Sequence, residues 1–167
     1  QVRYCKKCSL SQLSIVVDPE CLFKTYYYRS SISKTFRDHC FYFAEDSVKK
    51  FNLTHSDIVV DIASNDGCTL KEFEKFGVKV LGIDPAENLA AIANKEGIET
   101  IAKFWSKDTA KFVRDHYDTA SMITAMNVFA HVDDLDSFLD AINMLLKDDV
   151  IFVIEVPYLV NFINKME

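Results

Sequence analysis

Val59-Val60-Asp61-Ile62-Ala63-Ser64-Asn65-Asp66-Gly67-Cys68-Thr69-Leu70 is an apolar, β-branched run that breaks on small and polar residues and then passes into a helical pattern. Such a stretch reads as a buried strand, a tight turn and the start of a helix. Ligands of open α/β sheets bind at the carboxyl ends of the strands, so this turn predicts one wall of a binding site. Outward from it, further strands are predicted over residues 78–84, 98–101, 120–126 and 150–156, with the first over 58–63. Most of these runs are continuously apolar rather than alternating, as expected of a parallel sheet covered by helices on both faces. Between them lie stripes at helical spacing: Leu70, Phe73 and Phe76; Leu89, Ile92 and Ala93; Ala110, Val113 and Tyr117; Leu135, Phe138, Leu139, Ile142 and Leu145. The expected fold is therefore α/β and Rossmann-like, with right-handed crossovers and the spatial strand order 3-2-1-4-5.

Before the first strand, Phe36, Cys40, Phe43, Ala44, Val48 and Phe51 form one more stripe, with Ser33 as its N-cap. This helix is expected to pack on the sheet. The preceding Tyr26-Tyr27-Tyr28-Arg29-Ser30-Ser31 is too polar and too rich in aromatics for a plain linker. A chain of 167 residues that is 49% hydrophobic buries one core of ordinary size. Its net charge of −6, with no basic stripe, argues against a nucleic-acid partner. No apolar run reaches the roughly 18 residues of a spanning helix, and the N-terminus lacks a signal-peptide layout. A cytoplasmic protein without a membrane partner is expected. Cys5, Cys8, Cys21, Cys40 and Cys68 form an odd set without framework spacing, which suits reduced thiols. The chain opens at once on a cysteine pair and stops within Tyr158-Leu159-Val160-Asn161-Phe162-Ile163, like a piece of something longer.

A dinucleotide's pyrophosphate asks for Gly-x-Gly-x-x-Gly, and only Gly67 is present. S-adenosylmethionine (SAM) carries no phosphate. It asks for a turn that admits its methionine part, here Ala63, Ser64 and Asn65, and for an acidic strand residue, Asp61, to meet its ammonium. The helix start after Gly67 favours a carboxylate. The second strand ends in Asp84-Pro85, 23 positions after Asp61, where a carboxylate can accept both ribose hydroxyls of an adenosine cofactor. A plainer reading makes Asp84 a helix cap. The fourth strand leads into Asn127-Val128-Phe129-Ala130-His131, so Asn127 and His131 are candidates for contact with cofactor or substrate, although His131 can also belong simply to the helix start led by Asp133 and Asp134.

With these segments in view, the chain resembles the SAM-dependent C-methyltransferases that act on keto-sugar nucleotides in deoxysugar pathways. The resemblance rests on Tyr26-Tyr27-Tyr28-Arg29-Ser30-Ser31 with Thr35-Phe36-Arg37, on Ser64-Asn65-Asp66-Gly67, on Gly82-Ile83-Asp84-Pro85-Ala86, on Asn127 through His131, and on Glu155-Val156-Pro157-Tyr158-Leu159. It implies a class I methyltransferase sheet, here truncated before its last strands, and a small-molecule substrate such as a nucleotide sugar. One departure is Ala63, where the family usually has glycine. The implied reaction removes a proton next to a ketone and sends the carbon in line onto the SAM methyl group, accelerated by positioning and a general base. Tyr28 with Ser30 and Ser31 would close over the methyl-transfer end, while Glu155 and Tyr158 would line the substrate side. The family's base lies in a Tyr/His-Glu-His segment with no counterpart here, which leaves His131, Tyr28 and Glu155 as catalytic candidates. The chain is accordingly expected to bind SAM without methylating a sugar nucleotide by itself.

Similar proteins also begin with a zinc domain holding two Cys-x-x-Cys pairs. Only Cys5-Lys6-Lys7-Cys8 is present, half of a tetrahedral site, so the resemblance places zinc in the full-length protein and no metal site within this chain. The expected organisation is a zinc-domain remnant over 1–25, a tyrosine-rich segment and packing helix over 26–57, and a SAM-binding domain over 58–167. An uncovered fifth strand would favour self-association through the sheet edge. Competing readings are a non-catalytic SAM-binding or interaction module, a nicotinamide-dependent dehydrogenase, disfavoured by the missing glycines, and a nucleic-acid methyltransferase, disfavoured by charge and by the lack of an Asn-Pro-Pro-Tyr-like motif.

Overall fold

The computed structural model describes residues 1–165, and for 147–150 the backbone alone. Its centre is a five-stranded parallel sheet built from β3 (Ile58–Ile62), β4 (Lys79–Ile83), β5 (Thr100–Ile101), β6 (Ala120–Met126) and β7 (Leu146–Glu155), in the order β5-β4-β3-β6-β7. Numbered from the first sheet strand this is the expected 3-2-1-4-5, an open parallel α/β sheet of the Rossmann-like kind. β3 and β4 pair in direct register, Ile58 opposite Lys79 through Ile62 opposite Ile83, so their carboxyl ends finish side by side.

Side chains on β3 alternate between two cores, as a strand covered on both faces requires. Val60 and Ile62 join Leu81, Ile83, Ile123 and the buried stripes of α5 (Lys107–Tyr117) and α6 (Leu135–Leu145). Val59 points the other way, toward Met122 of β6, Ala44 of α2 (Lys34–Phe51), Leu70 and Phe73 of α3 (Cys68–Lys75) and Ala93 of α4 (Glu87–Lys95). Ser33 caps α2 by accepting from Phe36 N at 3.3 Å, and α2 packs on α3 through an edge-to-face contact of Phe43 with Phe73 at 5.8 Å. Gly82 is held to glycine by its neighbours: a Cβ there would lie 2.5 Å from both Ser64 Oγ and Thr100 Oγ1.

Several boundaries differ from the sequence reading. The third strand shrinks from 98–101 to two residues, because Ile98 turns down under Gly67 and its N–H closes the end of α4 on Ala93 O. Asn94 then satisfies the edge backbone, accepting from Thr100 N at 3.1 Å and donating to Thr100 O at 2.8 Å. The fifth strand starts at Leu146, directly after α6, rather than at 150, and ends at Glu155; its register against β6 slips between Ala120 and Met122. Phe76 falls at the cap of α3 and is exposed. Ahead of α2 the chain forms an antiparallel pair, β1 (Val2–Tyr4) with β2 (Ser11–Leu13), and a short helix, α1 (Pro19–Phe23); a last helix, α7 (Leu159–Lys165), follows β7. No helix among the described residues is long and apolar enough to cross a membrane.

Phe73 is fully buried at the junction of α2, α3 and β3. Phe73→Ala should therefore lower the unfolding free energy by about 3–5 kcal/mol, the usual cost of deleting a core aromatic, read as a shift of the urea midpoint. A loss of under about 1 kcal/mol would show that α2 and α3 are not packed as described.

Candidate cofactor site

The carboxyl ends of β3, β4 and β6 open on a cavity of about 510 Å³. Of the residues singled out from sequence, Tyr28, Ser30, Ala63, Asn65, Asp84, Pro85, Asn127 and His131 line it. Asp61, Ser64, Gly67 and Glu155 lie behind or beside the lining. The wall also contains residues that the sequence reading did not assign to the site: Phe23 and Tyr26 near the N-terminus, Phe36 on α2, Phe104 and Trp105 just after β5, and Phe138 on α6. A signal for two of them was available, since Phe104-Trp105 follows the third strand just as Asp84-Pro85 follows the second. Trp105 is fixed by its indole N–H, which donates to Phe138 O at 3.2 Å. No lysine or arginine is among the lining residues, whereas Asp84 and Asp133 are.

The turns that make the site use backbone shapes unusual for side-chain-bearing residues. Ala63, Asn65 and Asn127 have φ of 54°, 55° and 59°, and Gly67 begins α3 at φ 76°. Asparagine tolerates this left-handed region, but alanine has no such excuse. Asp84, immediately after β4, organises the turns. Its Oδ2 accepts from Asn65 N at 2.7 Å and its Oδ1 from Ala86 N at 2.8 Å. Burial pushes its carboxyl up to about 6 against the pull of those two N–H groups. Asp61 is buried more deeply, accepts from Thr124 Oγ1 at 2.6 Å, and is pushed up to about 7 by desolvation.

Asn65 and Asp66 hold the tyrosine-rich segment over the cavity. Asn65 Nδ2 donates to Tyr28 O at 3.0 Å and Asn65 Oδ1 accepts from Ser30 N at 3.0 Å. Asp66 Oδ2 accepts from Ser31 Oγ at 2.5 Å and pairs with Arg29 Nε at 3.3 Å. Asn88 at the start of α4 makes a two-way contact with the backbone of Tyr26, accepting at 3.1 Å and donating at 2.8 Å. On the opposite wall Asn127 meets Glu155 two ways: its N–H donates to Glu155 O at 2.7 Å and its Nδ2 donates to Glu155 Oε1 at 3.1 Å, while Glu155 Oε2 lies 2.6 Å from His39 Nε2. His131 lies on a single 3-10 turn with its ring 6.0 Å from that of Phe23. Cys5 and Cys8 are exposed between β1 and β2, and no cluster of three or more metal-ligating side chains occurs among the described residues.

Comparison with known proteins agrees with this architecture. Residues 35–166 match the family described as "Methyltransferase domain", and the chain belongs to that family. The chain is 34% identical over 160 residues to the C-methyltransferase NovU of Streptomyces niveus, a match that covers 96% of this chain and 38% of that protein. Among solved structures, the PH0226 protein from Pyrococcus horikoshii OT3 superposes with a TM-score of 0.64 at 16% identity, covering 89% of this chain and 63% of that one. The plantazolicin methyltransferase BpumL in complex with SAH does so with a TM-score of 0.58 at 21% identity, covering 71% and 47%. The chain thus spans well under half the length of the curated relative it matches.

The Asp61 carboxyl predicts a pH dependence. Its folded pKa of about 7 lies above the ordinary carboxyl value of 3.8, so the folded state holds the proton more tightly. Its contribution to stability is present at low pH and lost as pH rises through that window. Asp61→Asn, which can still accept from Thr124, should gain stability relative to the parent progressively between about pH 4 and 7 and by a constant amount above. A difference independent of pH in urea titrations would contradict this.

Proposed function

We propose that the cavity binds SAM and that this chain carries the cofactor part of a methyltransferase for a small molecule, with C-methylation of a keto-sugar nucleotide as the finer reading. The observation that carries the proposal is the lining itself. A buried carboxylate at the end of β4, an aromatic surround and no lysine or arginine among the described lining residues suit a ligand that brings its own positive charges and no phosphate. A nicotinamide dinucleotide would instead ask this wall to meet a pyrophosphate. The likeness to a C-methyltransferase supports the reaction class, and the substrate reading extends from the same likeness.

SAM supplies an electrophilic methyl group on a sulfonium centre. In this reading Asp84, already oriented by Asn65 N and Ala86 N, accepts from the ribose hydroxyls, with Pro85 beside it. Ala63 and Asn65 form the turn beneath the methionine part, and Gly67 opens the helix behind it. Ser64 keeps that turn's shape, and Asp61, one layer below, provides negative potential toward the ammonium. Asn127 accepts from the ligand on the far wall, while Tyr28 and Ser30 cover it. His131 and Tyr28, at the methyl-transfer end, are the groups placed to hold or take a proton from an acceptor carbon, and Glu155 acts behind Asn127. Proton removal next to a ketone leaves the electron pair on carbon. Bound SAM would supply the methyl group to that carbon, its sulfur taking up the electron pair of the methyl–sulfur bond.

Calorimetric titration tests the assignment. Asp84→Ala should weaken SAM binding by about 1.5–3 kcal/mol, the scale of hydrogen bonds to a charged group, with the unfolding midpoint measured in parallel. Unchanged affinity would remove Asp84 from the site. Methyl transfer to a keto-deoxysugar nucleotide, followed with radiolabelled SAM, tests the finer reading; transfer to unrelated acceptors only would overturn it.

A further inference from the structure

We infer that His39 is a positioning residue of this site, acting through Glu155 to fix which face of the Asn127 amide meets the ligand; the inference rests on the reading of the cavity given above. An asparagine amide has a donor face and an acceptor face, exchanged by a half-turn of its last bond. Whichever partner holds one face decides what the other offers. Asn127 Nδ2 lies 3.1 Å from Glu155 Oε1, and an ionised carboxylate only accepts, so the donor face is committed to Glu155. The backbone bond from Asn127 N to Glu155 O at 2.7 Å and the φ of 59° pin the residue itself.

The carboxylate is pinned in turn. Glu155 Oε2 lies 2.6 Å from His39 Nε2, so each of its oxygens has its own donor and the group cannot swing without losing one. His39 is set by α2, which is fixed to the core by buried Cys40 and Ala44. One turn earlier on the same helix Phe36 lines the cavity, its ring 6.0 Å from that of His39. The His39 and Glu155 side chains are 46% and 33% exposed, and polar contacts with such access to water add little to stability. What the pair provides is orientation. With its donor face held, Asn127 turns its Oδ1 to the cavity as an acceptor for an ammonium or hydroxyl group, across from Asp84.

Exchanging donors and acceptors along this chain tests it, with SAM and S-adenosylhomocysteine titrated by calorimetry and unfolding midpoints measured alongside. Glu155→Gln lets the amide turn over, and Asn127→Asp sets two carboxylates against each other; each should weaken binding about tenfold or more. The double variant Asn127→Asp with Glu155→Gln restores one donor between the two residues and an acceptor toward the cavity, and should regain most of the affinity. His39→Leu should weaken binding without moving the unfolding midpoint, and His39→Gln, which can still donate to Glu155, should recover much of the loss. Parent-like affinity in Glu155→Gln or His39→Leu, or a double variant no better than the weaker single one, would overturn the inference while leaving the cavity's assignment intact. A parent protein that binds neither ligand would overturn the cavity's assignment, and this inference with it.

Discussion

The bond from the Asn65 backbone N–H to the Asp84 carboxylate joins the turn after β3 to the turn after β4, and the rest of the site hangs from it. Parallel pairing in direct register brings the two strand ends together, and the carboxylate then fixes them at hydrogen-bond distance. Once its backbone is held, the Asn65 side chain faces the tyrosine-rich segment and grips Tyr28 and Ser30. Asp66 adds Ser31 and Arg29 from the next position. The segment from 26 to 31 thus becomes part of the cavity wall although it lies more than thirty residues away in sequence. Holding a carboxylate in so dry a place costs stability, visible in the upward shift of its pKa, and the two N–H groups offset part of that cost.

The same device recurs across the sheet. Asp61 on β3 accepts from Thr124 on β6, and Glu155 at the end of β7 accepts from Asn127 just past β6. Three acidic side chains therefore tie neighbouring strands together near their carboxyl ends, from β4 through β3 and β6 to β7. Parallel strands offer few short-range connections at this end, because their loops lead away into helices. Side-chain acceptors supply what the backbone does not, and they leave the edge of the sheet polar beneath an aromatic roof. Only Asp84 of the three reaches the cavity surface directly. Asp61 and Glu155 act one layer back.

The sheet was legible in the sequence because its information is local. A continuous apolar run bounded by Ser64-Asn65 or by Asp84-Pro85 specifies a buried strand and its end, and period-3.6 stripes such as Phe138, Ile142 and Leu145 specify the covering helices. Ser33 was readable as a cap for the same reason. The third strand was overextended because Ile98, apolar and β-branched, serves the packing under Gly67 instead of the ladder. The site was legible in part. Asp84 and Asn127 follow from their places at strand ends. The double duty of Asn65 as turn and clamp depends on a contact 35 positions away that no periodicity announces. The pairing of His39 with Glu155 spans 116 positions and leaves no local trace. The short elements before α2 were missed because their apolar residues, Phe23 apart, are exposed and carry no burial pattern.

The role of these strand ends is decided by where an adenosine cofactor sits. A crystal structure of this chain with S-adenosylhomocysteine measures that directly. The predicted result is a ligand lying across the carboxyl ends of β3, β4 and β6, with its ribose hydroxyls within hydrogen-bond distance of the Asp84 carboxylate, its amino-acid end toward Asn127, and Tyr28 closing over it. A ligand bound elsewhere on the protein, or one that lies in the cavity with Asp84 still facing only the Asn65 and Ala86 backbone, would contradict it.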